Sequence, residues 1–574
     1  MSKLIVKYCP PPDQAAPRSS DPSAAASYLS DESRMKGSAE KIFFPQSEGE
    51  LAAILLAAKS EKKTVTVSGG RTGITGGAVP EGGWLVSTEK MNLVLGLRFD
   101  ERQDRFFLRC QPGLTLEKLN EMISKRDFVD VSAWSAESSL YLDLFRKACP
   151  WHRFAPDPTE ASATIGGMIA CNASGARTLH YGPTRNHVFA LRVVLADGSA
   201  LNIKRGEYFA DAGGAFQLVL PDGEKRDGKI PSYRMPNVKN AAGYFAKPGM
   251  DLIDLFIGSE GTLGIVTEAE LALVRPPEEI LGVIAFFPSE EKALLFVKAA
   301  RGEKPDKNLP QPGCSIAAYD KFAEKCETLP AAGRTSVLAG GPAAPLALEY
   351  FDFKALNLLR DQKLKLGAAS EIPAMPESAH TAVYIELPTT EGGLETTAEE
   401  LMALLEACGS SADTAWTAIS PEETEKLKKF RHALPEAINQ RIGERVAACP
   451  GLTKLGTDFA VPDNFLDDVF ALYRKTLDET ALDYVIFGHI GNNHVHVNIL
   501  PKNFDEYKYG KEIYLKLART IVGWGGTVSA EHGIGKIKRS FLELMYGGQG
   551  MDEMRAVKKV FDPDGRINPG NMFS

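Results

Sequence analysis

Residues 67–80 read VSGGRTGITGGAVP, in which Gly69, Gly70, Gly73, Gly76 and Gly77 place five glycines in nine positions. Neither a helix nor a strand is served by that density, because each glycine costs backbone entropy on ordering. A loop so composed lets backbone N–H groups converge on an anion without obstruction by Cβ, which is how main chain alone holds a pyrophosphate. Arg71 adds a fixed positive charge, and Thr72 and Thr75 add hydroxyl donors. The preceding segment reads as a β-α-β unit. IFFP from Ile42 suits a short strand, SEGELAAILLAAKSEKK carries an apolar face at helical spacing, and TVTVS alternates as a second strand. No GxGxxG and no GK followed by Ser or Thr occurs anywhere, so neither a Rossmann fingerprint nor a Walker loop is present.

Moving outward, a second small-residue stretch, ATIGGMIACNASGARTLHYGPTRNHV (163–188), leads into the strand-like FALRVVLADGSAL. A third, GSEGTLG (258–264), leads into IVTEAELALV, and Pro276 and Pro277 then mark a domain boundary. Beyond them, ILGVIAFF with the helical EEKALLFVKAA, and HTAVYIELP with a helix through LMALLEA, repeat a strand-then-helix order. These predict an N-terminal arm over 1–38, a first domain over 39–277, a second α+β domain over 278–527, and a closing segment over 528–574. The arm, rich in Pro, Ser and Ala, is expected to be extended or partly helical and ordered by docking. The stretch 206–236, with LPDGEKRDGKIPSY, reads as an added surface excursion.

At 574 residues the chain exceeds one hydrophobic core, and 44% hydrophobic with 24% charged residues is an ordinary globular composition. A net charge of -8 argues against nucleic acid as a partner. The eight cysteines, at 9, 110, 149, 171, 314, 326, 408 and 449, form no CxxC pair and read as buried thiols of a reducing, cytoplasmic environment. No apolar run is long enough to span a bilayer, so any membrane contact, as at the inner membrane, is expected to be peripheral or through a partner.

The strongest chemical signal is GHIGNNHVHVNIL (488–500), which holds three of the nine histidines. After the turn-forming GNN, strand alternation puts His494, His496, Asn498 and Leu500 on one face and Val495, Val497 and Ile499 on the other. Chain reversal would bring His489 beside His496. Two imidazoles call for a carboxylate to complete a divalent site, and SAEHGIGKIKR (529–539) offers Glu531 followed at once by His532.

VSGGRTGITGGAVP, FAPDPTEASATIGGMIACNASGARTLHYGPTRNHV (154–188) and IGSEGTLGIVTE (257–268), in this order, resemble the FAD-binding domain of the vanillyl-alcohol oxidase superfamily. GHIGNNHVHVN followed by SAEHGIGKIKR resembles the C-terminal half of the FAD-linked D-2-hydroxyacid dehydrogenases, which include D-lactate and D-2-hydroxyglutarate dehydrogenases and the glycolate oxidase flavin subunit. The resemblance covers nearly the whole chain. It implies an α+β protein: an FAD-binding domain of two α/β subdomains and a cap domain with an antiparallel sheet. It implies that Gly69 to Gly77 wrap the FAD pyrophosphate, and that Pro156, Asp157, Ile165, Gly166, Gly167, Asn172, Ser174 and Gly175 line the flavin and ribityl path. Glu260, Gly261 and Ile265 would complete the pocket near the adenine, and Asn568 in DPDGRINPGNMF would touch the isoalloxazine. FAD is expected to be non-covalent, since the first loop has neither His nor Cys, and Cys171, His180 and His187 match no usual attachment point.

The same resemblance makes His489, His496 and Glu531 ligands to zinc or manganese, His532 the catalytic base, and Asn498 a neighbour of the substrate. Arg431, in KKFRHALPE, is the candidate partner for the substrate carboxylate because related dehydrogenases carry an arginine in a similar helix start. Lys454, in KLGTDFAVP, is a second candidate. One departure concerns the metal: family members show GHxGDGNxH, whereas Asn492, Asn493 and His494 stand here where Asp, Gly and Asn are usual. His494 is therefore read first as a group supporting a ligand.

The chemistry implied is oxidation of a small D-2-hydroxy acid, D-lactate before D-2-hydroxyglutarate or glycolate. A quinone, cytochrome or electron-transfer flavoprotein would be the acceptor, and a homodimer is the expected assembly. A non-redox transferase on the same flavin fold, as in ether-lipid synthesis, lacks the two-histidine pattern.

Overall fold

The structure is a computed structural model that describes residues 2–9, 19–148, 151–303, 344–367, 370 and 372–573. Cys149, Cys314 and Cys326 lie outside the described residues. Of the other five cysteines only Cys110 and Cys408 are buried; Cys9, Cys171 and Cys449 are partly exposed, which corrects the expectation of uniformly buried thiols.

Three sheets carry the described residues. The smallest holds strands Lys41–Phe43, Trp84–Ser87 and Val65–Ser68 in that order, all parallel. Helix Glu48–Ser60 forms the crossover between the first and third; Ser47 caps it by accepting from the Glu50 N–H, and its Leu51, Ile54 and Leu55 bury against Trp84 and Val86. The glycine loop therefore starts at the carboxyl end of a buried parallel strand.

The second sheet has eight strands, running Lys225–Lys229, Ala215–Val219, Lys3–Lys7, Ala200–Lys204, Val188–Val194, Ile265–Ala272, Arg105–Cys110 and Val94–Asp100. The start of the arm is an extended strand, docked on the sheet, whose Leu4 and Val6 are buried while Lys3, Ile5 and Lys7 face out, an alternation that KLIVK already carries. The 206–236 excursion forms the hairpin Ala215–Val219/Lys225–Lys229, and Lys3–Lys7 pairs parallel with its first strand, so the excursion widens the sheet rather than decorating it. Farther along the arm, Pro22–Leu29 forms a 3-10 helix and places Tyr28 under the Arg71 guanidinium at 4.1 Å from the ring centre.

Pro276 and Pro277 separate this sheet from the third, a seven-stranded antiparallel sheet ordered Trp416–Ala418, Glu279–Phe287, Thr381–Thr389, Ala347–Phe351, Asp483–His489, His494–Leu500 and Leu455–Gly456. Helices Glu290–Ala300, Leu394–Ala407 and Leu466–Leu477 pack on one face, and Phe353–Leu366 with Pro421–Val446 on the other. The chain end returns to the first domain. Ile567 pairs parallel with Val65, and the Asn568 side chain accepts from the Val67 N–H at 2.7 Å while donating to the Glu260 carbonyl at 2.8 Å. No helix among the described residues is long and apolar enough to cross a membrane.

Candidate functional site

A cavity of about 390 Å³ is lined by the glycine loop, the Ala163–Thr164 and Gly166–Gly167 region, Glu260–Gly261 and Glu531–His532. Gly69, Gly70, Arg71, Thr72, Gly73, Thr75 and Gly77 all face it. Two of the glycines are required by close packing: a Cβ at Gly69 would lie 2.4 Å from Thr164 Oγ1, and one at Gly70 2.7 Å from the Ser162 carbonyl. Gly73 meets nothing within 4 Å, so its Cβ would project into open space. A backbone cradle open to a cavity fits the pyrophosphate of FAD.

Ser174, Gly166, Gly167, Gly261, Ile265 and Asn568 also line the cavity. Gly76, Pro156, Asp157, Ile165, Asn172 and Gly175 stand behind it instead. Gly76 turns the loop at φ 75° against Met35. Ile165 is fully buried in the core, and Asn172 closes helix Ile165–Cys171 in the left-handed conformation while accepting from the Arg185 N–H at 3.0 Å. Asp157 accepts from the Arg177 N–H at 3.2 Å, and Gly175 packs so closely that a Cβ would meet the Asp157 carbonyl at 1.9 Å. These residues shape the wall. Glu260 lines the cavity too, and its carboxylate accepts from the Ile534 and Gly535 N–H groups at 2.6 and 2.8 Å. It fixes the loop that carries His532.

The histidine cluster follows from strand register. Asp483–His489 and His494–Leu500 pair antiparallel around the tight turn Ile490–Asn492, so His489 faces His494 and Phe487 faces His496. Asn493 adopts φ 51°, the left-handed region that glycine fills most freely and asparagine tolerates. Val495, Val497 and Ile499 bury in the core behind. His489, His494, His496 and Glu531 offer ligand atoms within 4.8 Å of one another. Glu531 lies 3.4 Å from His489 Nε2 and 3.5 Å from His496 Nε2.

Each ring is held from behind. His489 Nδ1 lies 2.6 Å from Glu349 Oε1, and His496 Nδ1 donates to the Thr457 carbonyl at 3.0 Å. Burial alone would raise the Glu349 carboxyl, but Arg431 and His489 beside it bring it down to about 2. Burial would likewise raise Glu531, and Lys239, at 2.6 Å, with His489 and His494 holds it well below the usual range. Lys239 is 3% exposed in its side chain. The donor set of imidazoles around one ionised carboxylate, with buried acceptors orienting the rings, fits a divalent cation.

His532 connects the two halves of the site. Its Nδ1 is 3.2 Å from Asp458 Oδ2, its N–H donates to the same carboxylate at 3.1 Å, and its carbonyl accepts from Thr75 Oγ1 at 3.4 Å. The side chain is 32% exposed, toward the cavity that the glycine loop lines. Asp458 also accepts from Ser529 Oγ and Lys538 Nζ, both at 2.7 Å. Burial works against its charge, but His532 and Lys538 hold its carboxyl well below the usual range.

Sequence reasoning missed Asp458, Lys239 and Glu349. The first and last had a legible signal, a lone acid inside an apolar run in GTDFAV and in the wholly buried strand ALEYF. Arg431 sits within helix Pro421–Val446, not at its start, and Pro435 removes the N–H that would bond the Arg431 carbonyl. Its Nε is 3.4 Å from Glu349 Oε2, so it abuts the cluster through that carboxylate. Asn498 is buried on the histidine face, opposite Gly456. Lys454 donates to Asn439 at 3.1 Å, on the side of the long helix.

Residues 39–139 and 141–204 match the family profile of the FAD binding domain, and 325–572 match that of the FAD linked oxidases, C-terminal domain. Among curated relatives, the D-lactate dehydrogenase of Archaeoglobus fulgidus is 26% identical over 529 residues, 92% of this chain and 90% of that protein. The D-2-hydroxyglutarate dehydrogenase of Stutzerimonas stutzeri is 27% identical over 93% of this chain and 90% of its own length. The glycolate oxidase subunit GlcD of Bacillus subtilis is 27% identical over 93% and 89%. A solved alkyldihydroxyacetonephosphate synthase superposes with a TM-score of 0.56 at 14% identity, covering 98% of this chain and 86% of that one, and so shares the fold.

Proposed function

We propose that this chain, a member of the FAD-linked oxidases by its FAD binding domain and its FAD-linked oxidase C-terminal domain, is an FAD-dependent dehydrogenase of small D-2-hydroxy acids, with D-lactate as the first substrate. The observation that carries the reading is that Glu531 and His532 line the same cavity as the glycine loop. An acid-base group therefore stands where substrate and flavin would meet.

The chain's own groups divide the work. Asp458 takes the Nδ1–H of His532, which leaves the Nε2 lone pair to accept the substrate hydroxyl proton. Arg431 meets the substrate carboxylate, and Asn498 lies beside it on the histidine face. His489, His496 and Glu531 would hold a divalent cation, zinc or manganese, whose Lewis acidity would favour loss of the hydroxyl proton. FAD held by Gly69–Gly77 would supply the acceptor for the Cα hydride. Cys171 lines the cavity, but burial pushes its thiol up to about 12, and a protonated thiol is a poor nucleophile toward flavin; this supports non-covalent FAD. The electron acceptor would be a quinone, a cytochrome or an electron-transfer flavoprotein. We assign the molecule a cytoplasmic place, peripheral to the membrane where its acceptor requires it, and a homodimeric assembly.

Steady-state turnover with an artificial acceptor decides among substrates. D-lactate should give the highest kcat/KM and L-lactate none. A higher value with D-2-hydroxyglutarate or glycolate would reassign the substrate, and equal turnover of both lactate enantiomers would contradict the stereochemical assignment.

A further inference from the structure

His494 is one of the three residues at which this chain departs from the family motif, and its surroundings give it a specific part. It is 0% exposed. Its ring centre lies 4.4 Å from that of His496 and 5.4 Å from that of His489. Its Nε2 is 3.0 Å from Asp458 Oδ1. That carboxylate already accepts from Ser529 Oγ, Lys538 Nζ and the His532 N–H, so it acts as an acceptor and the proton of the His494 ring belongs on Nε2. The lone pair then falls on Nδ1, 3.9 Å from Glu531 Oε2; among the described residues neither ring nitrogen makes an aligned hydrogen bond, the approach of Nε2 to Asp458 being one of proximity.

A buried acceptor atom without a donor is costly and asks for an explanation. The other two rings show the same pattern, each with its far nitrogen at an oxygen acceptor and its near nitrogen at Glu531. We propose that His494 Nδ1 is a fourth protein ligand, so that this chain binds its cation through three imidazoles and Glu531 instead of the two imidazoles and one carboxylate implied by the family motif. The inference rests on the preceding reading that a divalent cation is held here. Asp458 then orients two rings, His494 as ligand and His532 as base, through its two oxygens. The ammonium of Lys239, 2.6 Å from Glu531, is the positive charge the incoming cation replaces. A three-nitrogen, one-oxygen set favours zinc over manganese, whose preference is for oxygen.

The test uses the full chain with FAD, stripped of metal by a chelator and reloaded with one equivalent of zinc. X-ray absorption at the zinc edge should count three imidazoles in the unsubstituted protein and two in His494→Asn. Competition with manganese should show zinc preferred in the first, and that preference reduced at least tenfold in the second. Two imidazoles in the unsubstituted protein, unchanged by the substitution, would overturn the proposal and leave the two-histidine site standing. Failure of the unsubstituted protein to bind either metal stoichiometrically would overturn both. The count on the unsubstituted protein decides the matter even if the variant misfolds.

Discussion

At the scale of single residues, chemistry is concentrated on His532 and the carboxylate behind it. His532→Ala removes the proposed base without touching the glycine loop, so FAD content should be unchanged while the rate of flavin reduction by D-lactate falls about 10²–10⁴-fold, as loss of a general base does. Rapid-mixing absorbance measures both quantities in one sample. Undiminished reduction would remove His532 from the mechanism. The histidines were legible because three of a rare residue fell in one short stretch, and Glu531 because SAEHGIGKIKR resembles the family's motif. Asp458, Glu349 and Lys239 were not weighed: the two acids sit in apolar runs that declare burial, and only the fold shows what all three face.

At the scale of elements, the site depends on loops pressed together. Gly535 sits at φ 52°, and a Cβ there would lie 2.2 Å from the Thr75 carbonyl of the flavin loop. Gly535→Ala adds left-handed strain of about 1–2 kcal/mol to a backbone collision, and should lower both FAD occupancy and kcat; a variant with full occupancy and rate would refute the contact. A second element-scale prediction concerns acid. His152, buried against Phe106 and Phe145, has its pKa pushed down to about 4 by burial, with Arg275 adding to the effect. The unfolded chain binds this proton near 6.5 and the folded chain near 4, so between those values the unfolded state holds more protons and stability falls as pH drops. The loss amounts to about 3 kcal/mol for the full shift. Denaturant midpoints from pH 7 to pH 4.5 should decline less steeply in His152→Phe than in the unsubstituted protein, and parallel slopes would disprove the assignment. Period and turn chemistry made the strands and helices around the glycine loops readable. The role of 206–236 was hidden because its partner strand, Lys3–Lys7, lies some two hundred residues away in sequence.

At the scale of the whole molecule, the two large sheets are held together by buried charge. Arg177, from the flavin-side loop, donates through Nε to Glu386 of the antiparallel sheet at 2.6 Å, with side chains 9% and 3% exposed. Glu386→Gln leaves a guanidinium buried without its counterion and should cost about 3–5 kcal/mol of stability. Replacing both partners with apolar residues should cost less; calorimetric unfolding of the two variants tests the order, and a neutral Glu386→Gln would show the pair to be dispensable. The second α+β domain followed from strand–helix alternation, and the flavin and antiparallel halves from the family resemblance that the ordered glycine blocks and the histidine stretch carry. What sequence order could not give is the convergence itself, since residues near 70, 240, 458, 490 and 531 meet only when the chain end returns to Val65 and Val67. That convergence is tested most directly by anaerobic mixing of the FAD-loaded protein with paired D- and L-2-hydroxy acids while the absorbance of oxidised flavin is followed. Rapid bleaching by D-lactate and none by L-lactate is the expected result; flavin that stays oxidised with every D-2-hydroxy acid tried would contradict the account.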